Sequence, residues 1–364
     1  MELLKEALSS ISPLDMDSQK KAQERLDNLI KPPGSLGRLE EICVQLAGIY
    51  GSMFFSTEKK AILAFAADHG VFEEGVSPCP QDITKIQIPN FVRGITGVGS
   101  LARFANAKII AVDVGVNCDE ELEGVINKKI RKGTSNLAVG AAMTREEAIR
   151  CLEIGIETVN DAVNEGITVV GIGEMGISNT TPTSAIISLY GNYTPLEVTG
   201  MGAGLDKDAL LKKANVIERS LHINKPDKND PIDVLSKIGG FEIGAMAGAI
   251  IGAAAKKIPV VIDGFISYSS TLLALKLCPQ VRDYIIPSHF SAEPASKKAF
   301  DLLDLKPMLT MDMRLGEGSG AALCFNLIEA SNFMYNNMKT FEEVEMEYPK
   351  DEILRANETH KKIL

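Results

Sequence analysis

Short apolar runs that close in small or polar loops, with helical stretches between them, constrain this chain more than any other feature. Six such runs stand at residues 62–66, 109–112, 167–170, 260–262, 284–286 and 308–311. The loops that close them carry Asp68-His69-Gly70, Asp113-Val114-Gly115, Gly171-Ile172-Gly173-Glu174, Asp263-Gly264, Ser288-His289-Phe290-Ser291 and Arg314-Leu315-Gly316-Glu317. An unbroken apolar strand is buried on both faces, which is the condition of a parallel sheet covered by helices. The expected class is therefore α/β, with a mainly parallel sheet of about six strands. Ligands of such sheets bind beyond the carboxyl ends of the strands. Asp68, His69, Asp113, Glu174, Asp263, Ser291 and Glu317 are then expected along one rim.

The connecting segments agree with this pattern. Thr144-Arg145-Glu146-Glu147 has the capping-box form, and Ala148, Leu152, Gly155, Ile156 and Val159 follow at helical spacing until Gly166 closes the element. Residues 1–55 read as helices, at 17–30 and 37–50, joined by the rigid turn Lys31-Pro32-Pro33-Gly34-Ser35-Leu36-Gly37. A helix is expected over 321–338, and the polar tail after Tyr348 is expected to pack with the N-terminal helices.

Composition excludes several function classes. A chain of 364 residues, 45% hydrophobic, buries a large core, and its net charge of -10 opposes nucleic acid or an anionic membrane as main partner. The six cysteines form no C-x-x-C pair, so neither a zinc site nor a disulfide framework is indicated, and reduced thiols in a cytoplasmic protein are expected. The N-terminal Met1-Glu2-Leu3-Leu4-Lys5-Glu6 has acid where a secretory leader is basic. The Gly/Ala-rich run 239–255 contains Glu242 and is shorter than the roughly 20 residues a bilayer requires. A tightly packed internal helix is expected there.

Three local patterns bear on chemistry. Gly316-Glu317-Gly318 isolates a carboxylate between glycines, which serves either a strand-to-helix turn or a ligand that must come close. Gly171-Ile172-Gly173-Glu174-Met175-Gly176 has the G-x-G-x-x-G spacing of an NAD-dependent oxidoreductase, but on the third predicted strand and not the first. Its more general reading is an anion cradle, with Ser178, Asn179, Thr180 and Thr181 either capping a helix or donating to a phosphate. Lys212 and Lys213 default to the surface. His69 and His289 lack metal-ligand spacing, and no G-x-S-x-G nucleophile elbow occurs. A non-catalytic nucleotide-binding module is the third reading.

Longer motifs carry a resemblance. The segments beginning Lys31-Pro32-Pro33-Gly34, Ala67-Asp68-His69-Gly70, Gly173-Glu174-Met175-Gly176, Asp263-Gly264-Phe265, Ser288-His289-Phe290-Ser291 and Arg314-Leu315-Gly316-Glu317 run in the same order as the signatures of the nicotinate-nucleotide:dimethylbenzimidazole phosphoribosyltransferases. The sequence resembles that family over nearly its whole length. The resemblance implies a three-layer α/β/α catalytic domain at 58–334 and a smaller helical domain from 1–57 and 335–364. It also implies a homodimer that uses nicotinate mononucleotide and a benzimidazole-type base, with no cofactor and no metal. Glu317 is implied as general base and Glu174 as a second carboxylate. Gly176, Ile177, Ser178, Asn179, Gly202 and Lys213 are implied at the phosphate, and Asp263, Gly264 and Ser291 near the ribose. Pro78, Cys79, Gln87, Leu315 and Gly316 are implied around the base. Cys79 stands where the family commonly has Ser or Tyr, a departure that bears on which base is accepted. A pyridinium leaving group cancels its own positive charge on departure, so this chemistry calls for no metal.

Overall fold

Six strands lie side by side in the computed structural model, which describes residues 1–200 and 207–348. They are β1 (Lys60–Ala67), β2 (Ala107–Gly115), β3 (Ile126–Asn127), β4 (Val169–Met175), β5 (Val260–Ile262) and β6 (Ile285–Pro287), in the order β3-β2-β1-β4-β5-β6. Every neighbouring pair is parallel. All eight residues of β1 are buried, as a strand covered on both faces must be. The fold is three-layered, helices on either side of the sheet. Strands β2 and β3 lie to one side of β1 and strands β4 to β6 to the other, so the connections reverse direction between β1 and β4. That reversal opens a crevice at the carboxyl ends.

The helices are α1 (Glu2–Ser10), α2 (Met16–Asn28), α3 (Arg38–Tyr50), α4 (Ile83–Arg93), α5 (Gly97–Phe104), α6 (Arg145–Asn164) and α7 (Thr180–Gly191) in the first half. The second half adds α8 (Pro195–Val198), α9 (Lys207–Asn224), α10 (Pro231–Ile238), α11 (Phe241–Ala255), α12 (Phe265–Leu277), α13 (Ser296–Leu303) and α14 (Ser319–Asn337). The capping box of α6 forms as read: Glu147 N–H donates to Thr144 Oγ1 at 3.1 Å, and Thr144 N–H to Glu147 Oε2 at 2.8 Å. The Gly/Ala-rich run becomes α11, buried from Phe241 to Ala254. Small residues are required there because a Cβ on Gly155 of α6 would lie 2.0 Å from the Ala245 carbonyl oxygen.

Two strand expectations change. The run at 308–311 does not join the main sheet: β8 (Leu309–Thr310) pairs only with β7 (His289–Phe290), as a separate parallel pair. The sixth place belongs to β3, an exposed edge strand of two residues whose shortness left no apolar run to read. The segment expected as a loop, Gly171-Ile172-Gly173-Glu174, is strand, because β1 pairs along it with Ile62 opposite Gly171 and Phe65 opposite Glu174.

Contacts divide the described residues into two compact units: Met1–Ser12 with Lys59–Cys324, and Pro13–Glu58 with the described residues after Cys324. The first helix thus belongs with the larger unit, because Leu4 and Ala7 are buried where α1 packs on α6 and α11. The C-terminal division falls inside α14, a continuous helix. In the smaller unit Ala22, Leu26, Leu29, Cys43, Ala47 and Tyr335 form the core. Its turn is tied by Glu40, whose Oε1 accepts from Leu36 N–H and pairs with Lys31, each at 2.8 Å. The tail expected to pack with the N-terminal helices lies outside the described residues.

Candidate active site

Beyond the carboxyl ends of β4 and β5 lies a cavity of about 820 Å³. Its walls include Pro78, Gln87, Glu174, Gly176, Ile177, Ser178, Asn179, Lys213, Asp263, Gly264, Ser291, Leu315, Gly316 and Glu317. One residue expected around the base does not reach it: Cys79 lies outside the lining, its N–H turned to Ser77 Oγ at 3.3 Å. Gly202 lies outside the described residues.

Glu317 enters the cavity from a backbone under constraint. Gly316, Glu317 and Gly318 all have left-handed φ, at +80°, +65° and +97°. The middle residue has a Cβ and ordinarily avoids this region. Its carboxylate is buried and accepts two hydrogen bonds, from Gln87 Nε2 at 3.1 Å and from Val98 N–H in the first turn of α5 at 3.3 Å. Burial raises its pKa, Gln87 and Val98 oppose the rise, and nearby Asp263 adds to it. A carboxylate so placed can accept a proton from a ligand in its ionised form.

Glu174, near the end of β4, touches the same loop. Its Oε1 accepts from the Glu317 N–H at 3.2 Å and its Oε2 from Asn179 Nδ2. Burial pushes its pKa up to about 8, with the Glu317 N–H opposing and Glu242 adding to the shift. Asp263, directly after β5, accepts from Gly318 N–H at 3.0 Å, Gly320 N–H at 2.7 Å and Ala321 N–H at 3.2 Å. Burial raises its pKa too, against the pull of His289.

Lys213 of α9 overturns the surface expectation. It is 1% exposed, whereas Lys212 beside it is exposed. Its ammonium donates to Thr180 Oγ1 at 2.6 Å, and burial brings its pKa down to about 8 against the opposing charge of Glu293. Ser178, with φ of +79°, presents a buried Oγ without a hydrogen-bond partner among the described residues. A buried cation and an unpaired hydroxyl on one wall suit a bound anion.

The G-x-G-x-x-G pattern has a different use from dinucleotide binding. A Cβ on Gly173 would lie 2.2 Å from the Glu317 carbonyl oxygen, and one on Gly176 would lie 2.5 Å from that of Ala67. These glycines let the Glu317 loop and the end of β1 come against β4. Of the other expected rim residues, Asp68, His69 and Asp113 are absent from the lining and turn inward. Asp68 Oδ2 accepts from Asn117 N–H at 2.8 Å, His69 Nε2 meets Glu242 Oε1 at 2.7 Å, and Asp113 pairs with Lys129 at 3.3 Å. Among the described residues, no group of three or more His, Cys, Asp or Glu is gathered closely enough to hold a metal.

A family profile described as phosphoribosyltransferase matches residues 11–346. The chain is 58% identical over 346 residues to the nicotinate-nucleotide–dimethylbenzimidazole phosphoribosyltransferase of Clostridioides difficile (strain 630), covering 95% of this chain and 99% of that one. The chain belongs to this family. A protein of the same name from Alkaliphilus metalliredigens (strain QYMF) is 53% identical over 344 residues, covering 94% of this chain and 99% of that one. Among solved structures, CobT from Thermus thermophilus superposes with a TM-score of 0.87 at 36% identity, covering 91% of this chain and 99% of that one. Family membership gives the cavity its context, while the bonding within it adds residues the sequence reading passed over. Val98 was missed, although Thr96 before Gly97-Val98 is a helix-cap signal and its hydroxyl does accept from Gly99 N–H at 3.1 Å. Glu293 and Arg314 also line the cavity, Arg314 opening a motif already singled out and Glu293 two residues beyond Ser291.

Proposed function

We infer that the protein transfers the 5-phosphoribosyl group of nicotinate mononucleotide to 5,6-dimethylbenzimidazole or a related base, releasing nicotinate and α-ribazole phosphate. The observation that carries this reading is a single cavity holding both an anion-suited wall, at Ser178 and Lys213, and a buried proton acceptor, Glu317. In the reaction the bond from C1 of the ribose to the pyridinium nitrogen breaks. Its electron pair returns to nicotinate, neutralising the ring nitrogen. The imine nitrogen of the incoming base forms the new bond from the opposite face, which turns a β-linked nucleotide into an α-linked product. The other ring nitrogen gives its proton to Glu317, a general-base contribution of about 10²–10⁴-fold.

Other residues take supporting places in this scheme. Lys213, Ser178 and the turn at Gly176-Ile177-Ser178-Asn179 hold the phosphate, and Gly264 and Ser291 face the ribose. Pro78, Gln87, Leu315 and Gly316 border the base, which suits a flat, largely apolar heterocycle. Glu174, its pKa raised by burial to about 8, stands near the sugar, where a developing positive charge favours its carboxylate form over the neutral acid. The reading includes a homodimer, supported by the exposed apolar side chains of Ile86, Val92, Ile95 and Phe104 on α4, α5 and the turn between them. It also includes a cytoplasmic location, supported by six cysteines that are all unpaired. Among the described residues, no helix is long and apolar enough to cross a membrane.

The test is to incubate the protein with nicotinate mononucleotide and a panel of bases (dimethylbenzimidazole, other benzimidazoles, adenine, phenols). Mass spectrometry is expected to detect an α-ribosyl phosphate with at least one benzimidazole, alongside equimolar nicotinate. Absence of any ribosylated base at high enzyme concentration refutes the assignment.

A further inference from the structure

Asp263 is 2% exposed, and the hydrogen bonds of its carboxylate go to one segment of backbone. Oδ2 takes the N–H of Gly318, and Oδ1 takes those of Gly320 and Ala321. Two carboxylate oxygens offer about four lone-pair sites, so at most one is left for anything else. The segment also fits closely against its surroundings. A Cβ on Gly320 would lie 2.0 Å from His289 Nδ1 and 2.9 Å from Asp263 Oδ1, so the backbone is pressed against this carboxylate. Ser288 fixes the surroundings, its Oγ 2.9 Å from His289 Nδ1 and 3.4 Å from the Asp263 carbonyl oxygen that accepts from it. The three left-handed positions, with Glu317 in the middle, run into the clamp and share Gly318 with it. A residue with a Cβ stays in that conformation only where its surroundings over-determine it.

We propose that Asp263 is a positioning residue for the proton acceptor. Its buried carboxylate locks the 316–321 segment so that Glu317 keeps its left-handed backbone and its reach toward Gln87 and Val98. Glu174 completes the clamp by accepting the Glu317 N–H, and Ser319 Oγ ties the turn by donating to the Gly316 carbonyl oxygen at 2.8 Å. The proposal rests on the phosphoribosyl-transfer reading and departs from it on one point. The resemblance assigns Asp263 to the ribose, whereas the bonding assigns it to the loop.

The test uses the full chain carrying Asp263→Asn, an isosteric change that turns a donor toward the backbone N–H groups. With nicotinate mononucleotide and dimethylbenzimidazole, kcat is expected to fall about 10- to 100-fold, the usual consequence of a displaced catalytic group. The nucleotide KM is expected to stay within about twofold, since Lys213 and the Gly176 turn are untouched. Deuterium uptake in the peptide covering 316–321 is expected to rise. An unchanged kcat overturns the proposal, and so does a raised nucleotide KM at unchanged kcat, which is the signature of a ribose ligand. Should this variant fail to fold, Ser319→Ala loosens the same segment without touching Asp263. A several-fold loss in kcat at constant KM then supports the clamp, and parental kcat overturns it. If the parent protein forms no ribosylated base, the transfer reading itself fails, and deuterium uptake alone still decides whether Asp263 holds the loop.

Discussion

Replacing Glu317 with Gln removes the proton acceptor while keeping the shape of the side chain. Its consequences separate into two magnitudes. The first is chemical: loss of a positioned general base costs about 10²–10⁴-fold in kcat, or roughly 3–5.5 kcal/mol of barrier. The second is structural. Both carboxylate oxygens accept hydrogen bonds, at 3.1 Å from Gln87 and 3.3 Å from Val98. An amide has one acceptor, so the rotamer that turns NH2 toward Val98 leaves a partner unmet, and the other requires the Gln87 amide to turn over, at up to about 1–3 kcal/mol of stability. The expected variant is folded, melts a few degrees lower, and turns over about 10³-fold more slowly with little change in nucleotide KM.

The assay is nicotinate and ribosyl phosphate production at saturating substrates, measured from about pH 5 to about pH 9. In the parent, activity is lost as pH falls through the Glu317 pKa, which burial places above its ordinary value, because only the ionised form accepts a proton. That acid limb should vanish in the Gln variant. A folded Glu317→Gln protein working within tenfold of the parent, or one that keeps the acid limb, refutes the reasoning.

Three further outcomes follow from the same geometry. Glu174 has a folded pKa of about 8 against an ordinary 4.5, so the folded state retains a proton that the unfolded chain releases; stability is fully present below pH 4.5 and is lost as pH rises through 8. Glu174→Gln, which mimics the neutral acid, should melt higher than the parent at about pH 8.5 and close to it at about pH 4.5; a constant difference at both would remove burial as the cause. Lys213→Met should raise the nucleotide KM by about tenfold or more through loss of a charge-assisted bond to phosphate. In the parent, nucleotide affinity should weaken as pH rises past about 8, where the free ammonium loses its proton, and a flat affinity profile would show that Lys213 does not face the phosphate. Gly173→Ala sets a methyl 2.2 Å from the Glu317 carbonyl oxygen, which should cost about 1–3 kcal/mol of stability, read by denaturant unfolding, along with most of the activity. Parental stability and rate in that variant would mean the loop does not lie against β4.

Much of this arrangement is written locally. Apolar runs ending in Asp, Glu or His forced buried parallel strands and marked their carboxyl ends, because a strand with no polar face must be covered on both sides. The isolated Glu317 and the capping box at Thr144 depend on neighbours a few residues away and were legible for that reason. Other features required distant segments to meet. Strand β3 exists only because β2 offers an edge, and Gly171 and Gly173 became strand because β1 pairs with them. Lys213 is buried, against the habit of lysines, by the packing of α9. Asp68, His69 and Asp113 looked equivalent to Glu174 and Asp263 in sequence, yet the first three are buried against Asn117, Glu242 and Lys129 while the others line the cavity. Sequence by itself determined the class of fold and the type of group at each strand end, since those follow from local polarity and backbone freedom. Which carboxylate holds a loop and which one receives a proton was decided by tertiary structure, because that depends on what each oxygen finds within hydrogen-bond reach, and those partners come from positions 55 to 230 residues away along the chain.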